Sequence, residues 1–168
     1  NSNIQKRQVR IGKLEEILEI IHTLNGNYRY FEDTFFFKET ILKGKQEDLA
    51  KYENQISELI KISNEIELRN KLARLYVLNN SYLPKGKLKD KISVFIACYT
   101  SIAEHTIVQP FTKIDFIPFN KFPKRYDYSD FTKEIQNEII KEMKLGDKYN
   151  INIESPNFEI EFKKKYNL

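Results

Sequence analysis

Residues that build many catalytic and metal sites are scarce in this sequence. Its 168 residues include one cysteine, two histidines, five glycines and no tryptophan. The lone Cys98 excludes disulfide bonds within the chain and metal cages made of several thiolates. The sequence also contains no glycine-rich phosphate-binding motif, no run of roughly 18 apolar residues and no signal-peptide core. We therefore expect no disulfide partner and no cofactor, and a chain that folds in a reducing compartment.

The few candidate catalytic residues each have an ordinary structural interpretation. Glu19 and His22 have the Glu-x-x-His spacing of one half of a di-iron site, but His105 lacks the matching glutamate. Cys98 would be a nucleophile if a base such as His105 lay beside it, whereas its apolar surroundings in the sequence are typical of a buried thiol. The sequence thus predicts neither catalytic residues nor a metal site.

The apolar residues recur mostly at helical spacing. Hydrophobic residues make up 40% of the chain and charged residues 31%, as in folded globular domains. The Asn-Gly-Asn triplet at 25–27 is typical of a helix end. In the longest predicted helix the apolar stripe moves onto an adjacent face beyond Ile66. The predicted helices span about residues 4–24, 28–43, 46–78, 88–106 and 129–145.

The C-terminal tail has a different period. Apolar and polar residues alternate over 149–153, a Ser-Pro-Asn turn follows, and the alternation resumes over 158–162. This pattern predicts a β-hairpin over about 149–163, which must pack on the helices, pair with another strand or pair with a second subunit. The predicted fold is a single domain over 1–168, mainly α. It is an up-and-down bundle of four to five helices over about 4–145, with a small C-terminal β-hairpin.

Positive charge concentrates in the middle of the chain. Residues 83–125 contain eight lysines or arginines against three acidic residues. One group places alternate lysines at the start of a predicted helix, where an anionic partner would relieve their repulsion with the helix dipole. A second group interleaves basic and aromatic residues in a proline-rich loop, a combination that binds phosphates and stacks bases. For both groups a solvated surface, with any rings turned inward, is the alternative. The predicted anion- or nucleotide-binding residues are Lys85, Lys87, Lys89, Lys91, Lys121, Lys124, Arg125 and Tyr126.

The first half of the sequence contains four helix-forming stretches: Lys6-Arg7, residues 12–18, residues 45–60 and Arg74-Leu75-Tyr76. In their order they resemble small microbial proteins that join an N-terminal membrane helix to a helical cytosolic domain. The resemblance implies a transmembrane helix upstream of Asn1, with Lys6, Arg7 and Arg10 as its positive flank. The chain begins with Asn rather than Met, so we expect a preceding segment. Several effectors of bacterial antiphage systems share this plan.

Three functional hypotheses follow from these features. The first is a non-enzymatic interaction or sensor domain at the cytosolic face of a membrane, forming a homo-oligomer through its helices, the first of which has a heptad-like, coiled-coil pattern. The second is a cytoplasmic protein that binds a nucleotide or nucleic acid through the two basic groups. The third, a hydrolytic enzyme, would depend on His22, Cys98 or His105.

Overall fold

The computed structural model describes residues 2–44, 46–111, 121–145 and 158–168. In this part of the chain a 3-10 turn, Gln46–Asp48, precedes the second helix, and a π-helical segment, Glu104–Val108, follows the fourth. No strand occurs among the described residues, and the predicted helical bundle is confirmed. Its α-helices are α1 (Ser2–Leu42), α2 (Leu49–Glu65), α3 (Leu68–Tyr82), α4 (Lys87–Ala103), α5 (Arg125–Leu145) and α6 (Phe158–Tyr166).

Helix α1 is the organising element of the bundle. Its 41 residues extend for about 60 Å at 1.5 Å per residue, and it packs against α2, α3, α4 and α5. Helix α5 runs antiparallel to it, because Arg10 pairs with Glu142 at one end and Glu32 pairs with Arg125 at the other. One apolar core joins α1 to the other five helices.

Helix α1 continues through the triplet at 25–27, so the predicted helix end there is wrong. Buried Leu24 and Tyr28 keep the apolar stripe on one face across the triplet. The Asn27 amide donates a hydrogen bond to the Thr23 carbonyl at 2.8 Å, one turn back. Tertiary packing outweighs the roughly 1 kcal/mol that a glycine costs inside a helix.

The longest predicted helix is in fact two helices. Glu67 takes a left-handed backbone conformation with φ of 53°, and this residue separates α2 from α3. Its amide donates to the Asn64 carbonyl at 3.2 Å, so this amide is satisfied locally at the break. The shift of the apolar stripe after Ile66 marked this position, although neither glycine nor proline occurs there.

The predicted C-terminal hairpin is wrong. Its second half is helix α6, and its first half lies outside the described residues. Phe158 and Phe162 fall on one face of α6 and both pack against Phe131 of α5, with ring centroids 6.0 and 4.6 Å away. Ile160, which a strand would have placed beside them, is 64% exposed.

Two helix boundaries also differ from the prediction. Helix α4 passes at Glu104 into the π-helical segment, whose end is held by the buried Lys38 of α1. The Lys38 ammonium donates to the carbonyls of His105 and Gln109 at 2.8 and 2.7 Å. Helix α5 begins at Arg125, four residues before the predicted start. None of the described helices combines the length and the apolar character needed to cross a membrane.

Candidate functional site

The start of α5 is held by carboxylates of α1. Glu32 accepts hydrogen bonds from the backbone amide of Arg125 and, at 2.6 Å, from its Nε. Asp33 accepts a second one from the guanidinium. Glu32 therefore satisfies a free amide at the N-terminus of α5, as an N-cap residue would, but from another helix. The hydrogen bond to Glu32, together with that to Asp33, raises the pKa of Arg125.

A second contact fixes the approach to this helix. The hydroxyl of the buried Tyr28 donates to the carbonyl of Pro123, two residues before α5. Phe122 is also buried and meets Phe35 of α1 edge-on, with ring centroids 4.7 Å apart. The segment 121–126 therefore lies along α1 in a defined position, with Phe122 turned inward.

A cleft of about 490 Å³ lies between this segment and α1. One wall of the cleft is formed by α1 residues from Glu32 to Glu39, including Phe35. Ile102 and Phe122 also line the cleft. Four of the residues predicted from the sequence line its other wall: Lys121, Lys124, Arg125 and Tyr126. We call this space the α1–α5 cleft. Its volume falls within the roughly 300–1,000 Å³ of small-molecule sites.

Two aromatic rings in the cleft are exposed to solvent. Tyr126 is 79% exposed and Phe36 is 66% exposed, the largest values for aromatic side chains in the described part of the chain. Every other phenylalanine of α1 except Phe37 is buried, so Phe36 stands apart from the core face of its helix. Among the described residues the two rings make no contact with another aromatic ring, and both line the cleft.

The charges in the cleft balance. Lys121, Lys124 and Arg125 face three carboxylates of α1, so the formal charges cancel. Arg125 is already paired with two of those carboxylates. The third, Glu39, is half-buried, and neither it nor the two exposed lysines forms an ion pair within the described residues.

No protein-family model, curated protein or solved structure matches this chain. Its function is therefore inferred from its own residues.

The other predicted basic group has a different structure. Lys91 is only 2% exposed and pairs with Glu134, at 2.7 Å, and with Glu138 on α5. It is not available to a ligand. Lys85 and Lys87 are exposed and Lys89 is half-buried, close to the turn that precedes α4. This group and the α1–α5 cleft do not form one surface. The α5 partners of Lys91 lie nine and thirteen residues beyond Arg125, about 14 and 20 Å along the helix.

The candidate catalytic residues are not brought together. Cys98 is completely buried, and burial raises the pKa of its thiol, which opposes nucleophilic reactivity. His22 is exposed on α1, whereas His105 is buried in the π-helical segment. The described residues contain no group of three or more histidine, cysteine or acidic side chains placed to hold a metal ion.

Sequence reasoning missed the α1 wall of the cleft. Glu32, Phe36 and Glu39 have the spacing of one helix face. That face lies beside the apolar stripe, and its sequence pattern predicts a face exposed to solvent. The available signal was Phe36, a large aromatic residue between two acids on the polar side of an amphipathic helix.

Proposed function

We propose that this chain is a non-enzymatic sensor domain that binds a small molecule in the α1–α5 cleft. The observation that supports it is the cleft itself. It has the volume of a ligand site, and it is lined by four residues singled out in the sequence, Tyr126 among them, and by the exposed ring of Phe36. Apolar lining with a few polar groups is the usual composition of such sites.

The position of the cleft also suits a sensor. One wall is the first turn of α5, and the other is the central helix α1. A ligand that contacts Lys124 and Tyr126 would change the free energy of the Glu32–Arg125 contact between the two helices. Binding would thus shift the equilibrium between different packing arrangements of α5 against α1. A change in helix packing can alter parts of the protein surface that the ligand does not touch.

The first test is native mass spectrometry of the freshly purified chain, followed by thermal unfolding with a panel of metabolites. A bound small molecule should appear as an added mass of a few hundred daltons. A ligand at a hundred times its Kd stabilises a protein by about 2.7 kcal/mol. For a chain of this size that raises Tm by about 5–10 °C.

Two matched variants test whether the ligand binds in the α1–α5 cleft. Tyr126→Ala removes the exposed ring of the cleft and should remove the ligand-dependent rise in Tm. Tyr76→Ala removes a ring of α3 that is 62% exposed and far from the cleft in the sequence, and should leave the rise unchanged. The proposal is wrong if nothing co-purifies and no compound stabilises the protein, or if both variants respond alike.

The wider context remains a prediction. A membrane tether upstream, a homo-oligomer and a role in defence agree with a sensor domain but depend on the sequence alone. Binding of a nucleic-acid strand is the weaker alternative, because it would need a continuous basic surface, whereas the Lys85–Lys91 group is separate from the cleft and its Lys91 is buried in ion pairs with α5.

A further inference from the structure

The charged side chains of the α1–α5 cleft that form no ion pair within the described residues indicate which charged groups a ligand should have. Arg125 is satisfied by Glu32 and Asp33, which leaves the ammonium groups of Lys121 and Lys124 unpaired within the described residues. A phosphate monoester carries a charge of about −1.5 to −2 at neutral pH. One such group matches these two lysines.

The remaining carboxylate defines the opposite end of the ligand. Glu39 lies three residues beyond Phe36 on α1, so the two side chains are neighbours on one helix face. A ring lying against Phe36 would present its edge to Glu39. A carboxylate accepts hydrogen bonds, so it favours a ring that carries an amino group there.

The two exposed rings supply the apolar contact. Tyr126 and Phe36 belong to opposite walls of the cleft and have no ring partner within the described residues. Planar heteroaromatic rings stack on such side chains, and stacking tolerates any base.

From these contacts we infer that the ligand is a nucleoside monophosphate whose base carries an exocyclic amino group. The base lies between Tyr126 and Phe36 with its amino group on Glu39, and the single phosphate lies between Lys121 and Lys124. This inference rests on the proposed function, because it assigns the chemical class of the small molecule sensed in the same cleft.

The carboxylates of the cleft disfavour longer phosphate chains. Glu32 and Asp33 lie on the same wall as Phe36, and Arg125, which pairs with both, offsets only one of their two negative charges. The additional charge of a triphosphate would meet these acids without a free cation to offset it. Like charges brought together across an interface weaken binding strongly.

Isothermal titration calorimetry with defined nucleotides tests this assignment. AMP and CMP should bind at least about tenfold more tightly than adenosine, ATP or inorganic phosphate, which is a difference of about 1.4 kcal/mol. UMP, whose ring has a carbonyl in place of the amino group, should bind about tenfold more weakly than CMP. Glu39→Gln should reduce that preference, because the amide offers a donor as well as an acceptor.

Variants separate the phosphate contact from the ring contact. Lys121→Ala with Lys124→Ala should remove the advantage of AMP over adenosine, whereas Tyr126→Ala should weaken both by at least about fivefold. Lys85→Ala with Lys87→Ala changes exposed lysines of the other basic group and should leave all affinities unchanged.

The outcomes distinguish this assignment from the proposed function. If AMP and CMP bind no better than phosphate, but another molecule binds and is lost in Tyr126→Ala, the nucleotide class is wrong and the sensor proposal stands. If AMP binds equally well to the Tyr126→Ala variant, the assignment to this cleft is wrong. If no compound binds in the cleft at all, both proposals fail.

Discussion

The ammonium group of Lys91 shows how one buried charge is held in this chain. It lies between Glu134 and Glu138 of α5, and its side chain is only 2% exposed. Burial acts to raise the pKa of Glu134, but the hydrogen bond and charge of Lys91 outweigh it and lower the pKa. The two carboxylates stay partly in water at 38% and 30% exposure, so the lysine bears most of the desolvation.

Replacing Lys91 by methionine should destabilise the fold. The two carboxylates would then face each other across an apolar side chain, at a cost of about 1–3 kcal/mol in the free energy of unfolding. The pKa of Glu134 is lower in the native state than its ordinary value of 4.5. The ionised Glu134 carboxylate therefore stabilises the fold above pH 4.5, and this stabilisation is lost as the pH falls through the native pKa. Urea unfolding at neutral and acidic pH should therefore show a smaller effect of the substitution in acid.

Lys87→Met is the control for this experiment. Lys87 lies on the same helix but is exposed, so its replacement should change stability by less than about 0.5 kcal/mol. Equal effects of the two substitutions would contradict a special role for Lys91.

At the same scale, the sequence predicted one wall of the cleft and not the other. Lys121, Lys124 and Tyr126 were identifiable because basic and aromatic residues alternate there next to proline. Glu32 and Glu39 were not, because an acid on the polar side of a helix is ordinarily solvated. Only the packing of α5 along α1 places these acids in the α1–α5 cleft opposite the basic residues.

At the scale of elements, local patterns located the helices but not all of their ends. Phe158 and Phe162 are compatible with strand alternation and with one face of a helix, since their spacing of four residues fits both periods. Contacts with Phe131, remote in the sequence, decide in favour of α6. The ammonium of Lys38 on the π-helical segment is equally remote from the residues it holds.

Helix α1 offers a direct test of its continuity. Gly26 is exposed in the helix interior, and a methyl group added there would meet no atom within 4 Å. Gly26→Ala should therefore raise the free energy of unfolding by about 0.5–1 kcal/mol, because alanine loses less backbone entropy in a helix. Thermal or urea unfolding measures the change.

Gly44 provides the matched control. It also has open space around it, but its φ of +102° is a conformation that side chains rarely adopt. Gly44→Ala should destabilise the protein. If Gly26→Ala is destabilising as well, the chain is not helical at 25–27 and the predicted helix end would be right after all.

At the scale of the whole molecule, aromatic packing joins the helices. Tyr28 of α1 stacks on Tyr128 of α5 with centroids 4.1 Å apart, and Tyr128 stacks on Phe95 of α4 at 4.9 Å. Tyr99 of α4 meets Phe31 edge-on at 5.2 Å. The sequence showed that aromatic residues were abundant, but the contacts between helices distant in the chain required the three-dimensional fold.

This cluster should make the fold sensitive to alkaline pH. Burial raises the pKa of Tyr28, Tyr99 and Tyr128 above the ordinary value of 10.0, and it raises that of Tyr52 to about 12. The native state therefore holds these protons more tightly than the unfolded chain. Their stabilisation is fully present below pH 10.0 and is lost as the pH rises towards the native pKa values. Circular dichroism and tyrosinate absorbance should change together above that pH.

Two single substitutions separate the hydroxyl groups from the rings. The buried Tyr99 hydroxyl has no hydrogen-bond partner within the described residues, so Tyr99→Phe should be neutral or stabilising at neutral pH and should reduce the alkaline loss. The Tyr128 hydroxyl donates to the Phe95 carbonyl at 3.0 Å. Tyr128→Phe should therefore cost about 1 kcal/mol at neutral pH while also reducing the alkaline loss. An unchanged alkaline transition in both variants would mean that other groups control it.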